Sequence, residues 1–291
     1  MYEGTSVALI TPFTRDDEID EEGFRNNISY VIDGGVNSIV VCGTTGESST
    51  LSFDEHKRLI EIAIEYSTVP VIAGTGSNST AEACELTKFA ADAGADACLL
   101  VTPYYNKPNK AGLIKHFETI MNVADVDIIL YNIKSRTCLN IDAELMYELS
   151  KYPAIVGVKE ASGDLNQISK IIELTKDEEF FVISGDDSLT LPIMALGGIG
   201  VISVAANVVP SLVASLTNAM LSGDIEEARK YHYKLMPLVR ALFLETNPIP
   251  VKKAAEMIGL AAGHLRLPLG PLSPENEAIL ERELKKLGLL G

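Results

Sequence analysis

One lysine, Lys159, lies where an apolar strand is predicted to end, directly after residues 154–158. Burial in apolar surroundings disfavours the charged form of an amine and lowers its pKa, and the neutral amine can attack a carbonyl carbon. The position therefore indicates carbonyl chemistry through a Schiff base. A structural ion pair with the adjacent Glu160 is the alternative, because ion pairs also perturb lysines. On the residues alone, both interpretations stay open.

A glycine-flanked pair of threonines, Thr44 and Thr45, follows the second predicted strand. The backbone N–H groups of this loop can hold a carboxylate, and its hydroxyls can pass a proton. The alternative is an ordinary tight turn.

Two tyrosines and an arginine lie at the ends of other predicted strands or in the loops just after them. Tyr131 and Tyr105 can carry protons in a dry pocket, although tyrosines at strand ends often only pack. Arg136 can bind a carboxylate through two parallel hydrogen bonds, although many arginines are simply solvated. Together with the lysine and the threonines, these side chains predict a site for a carboxylated carbonyl compound.

Other chemistries have little support. The histidines lie far apart and lack zinc-ligand spacing, so a zinc-dependent aldolase is not indicated and no metal site is predicted. Asp186 and Asp187 can hold a cation, but a helix N-terminus explains them more simply. A barrel phosphate site uses the loops after strands 7 and 8. Residues 205–208 contain no glycine, which favours an unphosphorylated substrate.

The elements that must position these residues alternate between strand and helix. Short apolar runs predict eight strands, at 6–13, 38–42, 70–73, 97–101, 127–131, 154–158, 181–184 and 200–204. Helical spacing lies between them, as at 54–66, 80–93 and 112–123. Continuous apolar runs are typical of parallel strands that are covered on both faces. We therefore predict an α/β fold, a (β/α)8 TIM barrel, whose active site lies at the carboxyl ends of the strands. An open doubly wound sheet is the alternative, but its glycine-rich fingerprint is missing after the first strand.

The alternation stops after the eighth strand. Residues 224–244, 250–260 and 274–287 predict helices that end near glycines. We predict a catalytic barrel over residues 1–222 and a C-terminal helical region, residues 223–291, packed on the barrel.

Composition narrows the partners. The chain has 291 residues and a formal net charge of −16, which argues against nucleic acid or anionic membrane as a partner. No apolar run approaches the roughly 20 residues of a membrane helix, and the first residues do not resemble a signal peptide. The four cysteines lack paired spacing and predict reduced thiols in a cytoplasmic protein.

Several motifs resemble the dihydrodipicolinate synthase family, a branch of the pyruvate-dependent class I aldolases that include N-acetylneuraminate lyase. The first signature is SIVVCGTTGE at 38–47, and the second combines YNI at 131–133 with IVGVKEA at 155–161. Three further segments favour the synthases over their sugar-acid relatives: TPYYNKP at 102–108, NPIPVK at 247–252 and LRLP at 265–268.

The resemblance implies a reaction and a set of catalytic residues. Lys159 would form a Schiff base with pyruvate, and the resulting enamine would attack aspartate 4-semialdehyde. Tyr131, Thr44 and Tyr105 would relay protons, with Tyr105 contributed across a tight dimer interface. No cofactor is implied beyond the covalent pyruvate.

The resemblance also implies binding residues and an assembly. The loop of Thr44 and Thr45 would hold the pyruvate carboxylate, and Arg136 the carboxylate of the second substrate. Gly185 and Ile202 would complete the pocket. The family tendency is a homotetramer made of two tight dimers.

Feedback-inhibited members bind L-lysine at the dimer interface. Six residues resemble that set: Ser48, Ser49, His56, Asn78, Glu82 and Tyr104. Phe53 departs from the inhibited pattern, which often has histidine there. Because Glu82 can pair with an ammonium group, the expectation is weak inhibition.

Two further departures affect the loop that carries Arg136. Lys134 replaces the usual proline and Cys138 the usual glycine. Losing a proline frees the loop that aims Arg136. The sequence therefore defines the identity of the second substrate less sharply than that of the first. An aldolase or lyase that acts on a 2-keto-3-deoxy sugar acid or N-acetylneuraminate is the alternative. A non-catalytic sensor of a keto acid or of lysine is a third hypothesis, but a sensor needs no proton relay.

Overall fold

Eight parallel strands close into a barrel in sequence order. The structure is a computed structural model that describes residues 2–291. The strands are β1 (Gly4–Ala8), β2 (Ser38–Val41), β3 (Val71–Gly74), β4 (Ala97–Val101), β5 (Asp127–Asn132), β6 (Ile155–Glu160), β7 (Phe181–Ser184) and β8 (Gly200–Ser203). The predicted TIM barrel is therefore confirmed.

Within residues 2–291, twelve helices surround the barrel or follow it along the chain. They are α1 (Glu21–Asp33), α2 (Phe53–Tyr66), α3 (Thr80–Ala93), α4 (Lys110–Met121), α5 (Lys134–Thr137), α6 (Ala143–Leu149), α7 (Leu165–Thr175), α8 (Thr190–Ala195), α9 (Pro210–Leu221), α10 (Ile225–Leu242), α11 (Ile249–Met257) and α12 (Pro274–Lys286). Local sequence explains their starts. Ser52, for example, caps α2 in a capping box with Glu55, which satisfies two N–H groups at the start of that helix.

Two facing glycines, which have no side chains, allow the first and last strands to pair and close the barrel. Gly4 lies opposite Gly200 in the parallel pair of β1 and β8. A Cβ atom on Gly200 would lie 1.9 Å from the carbonyl oxygen of Gly4, so only glycine allows the two strands to pair here. The interior is filled by apolar side chains such as Val40, Ile72 and Ile129.

The predicted first strand, 6–13, is wrong in its position. The strand runs over Gly4–Ala8, and the residues that follow lie outside it. Pro12 has no N–H group for a strand ladder, and Thr11 donates its hydroxyl to the carbonyl of Gly46 at 2.7 Å. Residues 9–13 are buried, which is why their apolar pattern resembles a strand.

The C-terminal helices pack on the barrel and share its core. Leu235 and Leu238 of α10 and Leu280 of α12 belong to the same buried cluster as Val7 of β1 and Ile39 of β2. The division at residue 222 stays a prediction. Within residues 2–291, no helix combines the length and the apolarity that crossing a membrane requires.

Candidate active site

Lys159 lies inside β6 rather than after it, because the strand extends two residues beyond the predicted 154–158. Its side chain is 6% exposed. Burial lowers the pKa of Lys159, the carboxylate of Asp187 opposes this shift and Arg136 adds to it, and the resulting pKa is about 7. A large fraction of the amine is therefore neutral near pH 7, as attack on a carbonyl requires.

The ion pair with Glu160, the alternative considered for Lys159, is wrong. Consecutive residues of a strand point to opposite faces, so Glu160 leaves the barrel interior. Its carboxylate accepts hydrogen bonds from Asn132 Nδ2 at 3.0 Å and from the Ser162 N–H at 2.7 Å. Among residues 2–291, Lys159 pairs with no carboxylate.

Tyr131 lies beside Lys159 on the neighbouring strand. The two are register partners in the pair of β5 and β6, and the amine lies 4.2 Å from the centre of the tyrosine ring. Burial raises the pKa of Tyr131 to about 12, against the opposing effects of Arg136 and the Thr44 hydroxyl. The phenol thus keeps its proton at neutral pH and lies next to the amine and a threonine hydroxyl.

Gly185 and Ile202 lie around this pair. A Cβ atom on Gly185 would lie 3.1 Å from two carbons of the Lys159 side chain, so glycine leaves room for the lysine. Ile202 is buried in the barrel interior, in the same apolar cluster as Tyr131.

The loop of Thr44 and Thr45 is a tight turn and also offers backbone N–H groups for a carboxylate. It is a tight turn, since Gly46 and Ser48 donate their N–H groups to the carbonyl of Gly43. Within residues 2–291, the N–H groups of Thr44 and Thr45 donate to no protein acceptor. The turn therefore presents two free backbone donors, which is what a bound carboxylate requires.

Arg136 lies on α5, a single turn after β5. Its Nη2 atom donates to the carbonyl oxygen of Asn247 at 2.8 Å. Lys134 begins this turn, where a proline is also tolerated. Cys138 ends it at φ 56°, in the left-handed region that favours glycine. The short helix and Asn247 hold Arg136 although both departures are present.

Asp187 begins a short helical turn, as predicted, but its carboxylate also makes buried contacts that the sequence does not indicate. Asp186 does cap a short helical turn by accepting from the Ser188 N–H at 2.8 Å. Asp187 is instead buried, and its carboxylate accepts from the Ser203 hydroxyl and from the Val204 N–H at 2.9 Å. Burial raises the pKa of Asp187 against these hydrogen bonds. Its charge lies close enough to Lys159 to act on the amine.

Tyr105 does not join these residues within one chain. It is 90% exposed and adopts φ 73°. Exposure at this level leaves its phenol available to another molecule.

A second group of predicted residues meets in one cavity of about 460 Å³, which Thr44 and Arg136 also line. Five of the six residues of the predicted lysine site line it: Ser48, Ser49, His56, Glu82 and Tyr104. The sixth, Asn78, donates its amide to the carbonyl of Tyr104 at 3.1 Å.

The part of the cavity that contains the predicted lysine-binding residues has little positive charge. His56 Nε2 lies 2.7 Å from the carbonyl oxygen of Gly74 and donates to it, and burial lowers the pKa of the ring. Phe53 also lines the cavity. A wider groove of about 850 Å³, beside Tyr2 and Asp127 near the strand starts, contains none of the candidate residues. No cluster of side chains suited to a metal ion occurs within residues 2–291.

Comparison with known proteins places this geometry in a family. The model of the dihydrodipicolinate synthetase family matches residues 1–287. The chain belongs to this family. A 4-hydroxy-tetrahydrodipicolinate synthase from Methanosarcina mazei is 59% identical over 290 residues, which is 100% of both chains.

Two solved structures of the family have nearly the same fold. The chloride-inhibited dihydrodipicolinate synthase from Acinetobacter baumannii, complexed with pyruvate, has a TM-score of 0.97 and 41% identity, with 100% of both chains covered. The enzyme from Cyanidioschyzon merolae with lysine bound has a TM-score of 0.95 and 40% identity, with 99% of both chains covered.

In this member of the dihydrodipicolinate synthetase family, a buried ion pair supports the threonine loop from the C-terminal helices. Glu47, at the end of the loop, pairs with Lys252 of α11 at 2.7 Å, and both side chains are at most 2% exposed. The ammonium also donates to the carbonyl of His264 at 2.6 Å, and the other carboxylate oxygen of Glu47 accepts from the Arg266 N–H at 3.0 Å. The motifs at 38–47 and 247–252 contain both residues, but sequence alone did not reveal the contact.

We predict that Lys252→Met lowers the free energy of unfolding by about 3 kcal/mol or more, because it leaves the Glu47 charge buried and unpaired. The double variant Glu47→Gln/Lys252→Met should recover most of that loss. The measurement is chemical denaturation followed by circular dichroism.

Lys253→Met is the matched control. The neighbouring Lys253 pairs with Glu256 and Glu277 at the partly exposed surface, so its loss should cost less than about 1 kcal/mol. Equal losses in the two lysine variants, or a double variant no more stable than Lys252→Met, would contradict the prediction.

Proposed function

We propose that this protein is a 4-hydroxy-tetrahydrodipicolinate synthase, which condenses pyruvate with L-aspartate 4-semialdehyde in lysine and diaminopimelate biosynthesis. The observation that carries the proposal is the buried Lys159, with its pKa lowered to about 7, next to Tyr131. The full-length match to synthases favours this activity over a sugar-acid lyase, and the catalytic pair argues against a sensor.

The reaction begins at the lysine. The neutral amine of Lys159 attacks the keto carbon of pyruvate, and loss of water gives a Schiff base whose nitrogen is cationic. This charge withdraws electrons and eases loss of a methyl proton, which gives an enamine. The enamine carbon then forms a bond to the aldehyde carbon of the second substrate, whose oxygen takes a proton. Ring closure by that substrate's amine displaces Lys159.

The other residues bind and move protons. Tyr131, which remains protonated at neutral pH, serves as the proton carrier next to the Schiff base. Thr44 passes protons between Tyr131 and the partner subunit's Tyr105, and Gly185 and Ile202 shape the pocket. The free N–H groups of Thr44 and Thr45 hold the pyruvate carboxylate, and Arg136 holds that of aspartate semialdehyde. This scheme uses neither a metal nor an organic cofactor.

We predict that borohydride reduction in the presence of pyruvate traps an adduct on Lys159, identified by peptide mass spectrometry. The trapping rate should rise with pH up to about 7 and level off above it, because only the neutral amine attacks. Below pH 7 the neutral fraction falls about tenfold per pH unit.

Lys159→Ala should remove both adduct and turnover, whereas Lys151→Ala, at an exposed surface lysine, should retain both. The Schiff-base proposal is falsified if the wild-type adduct forms on another lysine. A trapping rate that keeps rising to pH 10 would contradict the lowered pKa. Turnover with sugar aldehydes rather than aspartate semialdehyde would restore the lyase alternative.

The assembly proposal rests on Tyr105. A phenol that is 90% exposed in one chain fits a residue that completes a neighbouring subunit's site. We place this contact in a tight dimer and two such dimers in a homotetramer. The unpaired cysteines, two of them buried, fit a cytoplasmic location.

We predict that Tyr105→Phe and Lys159→Ala, each nearly inactive alone, restore one another when coexpressed. A mixed dimer contains one site with Lys159 from one subunit and Tyr105 from the other. Random mixing should therefore return about a quarter of wild-type activity. The two variants mixed without subunit exchange are the control. If coexpression restores nothing, Tyr105 does not act across an interface. Light scattering, which measures the mass of the assembly, should give the mass of four chains.

The cavity that contains Ser48, Ser49, His56, Glu82 and Tyr104 is proposed to bind L-lysine, with Asn78 at its edge. Glu82 is the partner for an ammonium group, and His56 contributes no positive charge against it. The lysine-bound relative supports this proposal. Phe53 offers less hydrogen bonding than a histidine, so the inhibition should be weak.

We predict partial inhibition by millimolar L-lysine and none by D-lysine in steady-state assays. Phe53→His should strengthen the inhibition and Glu82→Gln should abolish it. Rates unchanged at saturating L-lysine would remove the proposal.

A further inference from the structure

Asn247 joins the two groups that are proposed to hold the substrate carboxylates. It lies between α10 and α11, outside the barrel strands, and is 7% exposed. Its side-chain Nδ2 atom donates to the Thr45 hydroxyl oxygen at 2.9 Å. Its backbone carbonyl accepts from Arg136 Nη2 at 2.8 Å. One residue of the C-terminal region thus contacts both the pyruvate side and the second-substrate side of the site.

The direction of the hydrogen bond to Thr45 determines what that hydroxyl can do. Because the amide of Asn247 donates, Thr45 uses a lone pair in this contact and keeps its own proton for another acceptor. A carboxylate is such an acceptor. The amide oxygen of Asn247 is buried and has no partner within residues 2–291. If a carboxylate stood in place of the amide, it would take the Thr45 proton.

A second contact fixes the same segment to the same loop. Five residues beyond Asn247, Lys252 pairs with Glu47, which lies two residues beyond Thr45. The segment of residues 247–252 therefore holds the threonine loop at two points, by a hydrogen bond at Thr45 and by a buried ion pair at Glu47. Two fixed points restrict both the position and the rotation of the loop.

We propose that Asn247 is a positioning residue, which directs the Thr45 hydroxyl toward the pyruvate carboxylate and holds Arg136 for the second carboxylate. The Lys252–Glu47 pair keeps Asn247 in register with the loop. This inference rests on the proposed function, since it assigns Asn247 a role at the same site. The C-terminal helices accordingly contribute to pyruvate binding as well as to packing.

The test measures pyruvate binding apart from turnover, through the pyruvate concentration that half-saturates borohydride trapping on Lys159. Asn247→Ala should raise this concentration about fivefold or more, the effect of losing one buried hydrogen bond. The KM for aspartate semialdehyde should change less than twofold, because the backbone carbonyl that holds Arg136 remains. Asn247→Asp should weaken pyruvate binding more than Asn247→Ala, because it takes the Thr45 proton and places a negative charge beside the carboxylate.

Two further variants separate positioning from packing. In a Thr45→Val background, Asn247→Ala should add little, because Asn247 acts through the Thr45 hydroxyl. Asn276→Ala is the matched control, since Asn276 also donates its amide to a side chain in the C-terminal region, at Glu245 and 2.8 Å. It should leave pyruvate saturation unchanged.

The outcomes distinguish this inference from the proposed function. If the wild type forms no adduct, the proposed function fails. If the wild type is trapped and Asn247→Ala saturates at the same pyruvate concentration, the positioning role alone is overturned. Fully additive effects of the Asn247 and Thr45 changes, or equal defects in the alanine and aspartate variants, would also overturn it.

Discussion

The structure depends on the burial of one amine without a carboxylate partner. Desolvation makes the charged form of Lys159 costly, and β6 keeps the amine unpaired by turning Glu160 to the opposite face. The neighbouring residues accommodate the Lys159 side chain without forming an ion pair with its amine. Gly185 leaves space for it, Tyr131 lies beside it with its proton retained, and Asp187 is already bound to the Ser203 hydroxyl and two backbone N–H groups. A closed barrel supplies this environment because its interior admits little water.

The barrel alone does not hold the rim of the site. The threonine loop and Arg136 belong to barrel loops, yet both are held by the C-terminal segment, through Asn247 and through Lys252 with Glu47. A buried ion pair adds little net stability compared with an apolar replacement, but it penalises every arrangement that separates the charges. Its value here lies in fixing one loop position. The helical region after β8 is thus part of the site's architecture.

The sequence predicts the contacts between neighbouring strands far better than the contacts between distant segments. Lys159 and Tyr131 could be placed together because parallel strand ends converge at one face of a barrel. The shift of β1 could not be predicted, since residues 9–13 are as buried as a strand. Glu47 and Lys252 are 205 residues apart, and no periodicity connects them. Asp187 does begin a helical turn, as the sequence predicts, and only its burial next to β8 reveals the additional effect of its charge on Lys159.

A chain with a net charge of −16 can bind two carboxylates because local donors, rather than net charge, determine the potential in a small pocket. Surface charges beyond about 8 Å are largely screened at physiological salt. The carboxylates near the site already accept hydrogen bonds or form an ion pair. Asp186 accepts from the N–H and hydroxyl of Ser188, and Asp187 accepts from the Ser203 hydroxyl and backbone N–H groups. Glu47 pairs with Lys252. The groups proposed to face a substrate are Arg136, the Lys159 amine and the free N–H groups of Thr44 and Thr45. Arg136 and the backbone N–H groups attract an anion, so the acidic surface is no obstacle to anionic substrates.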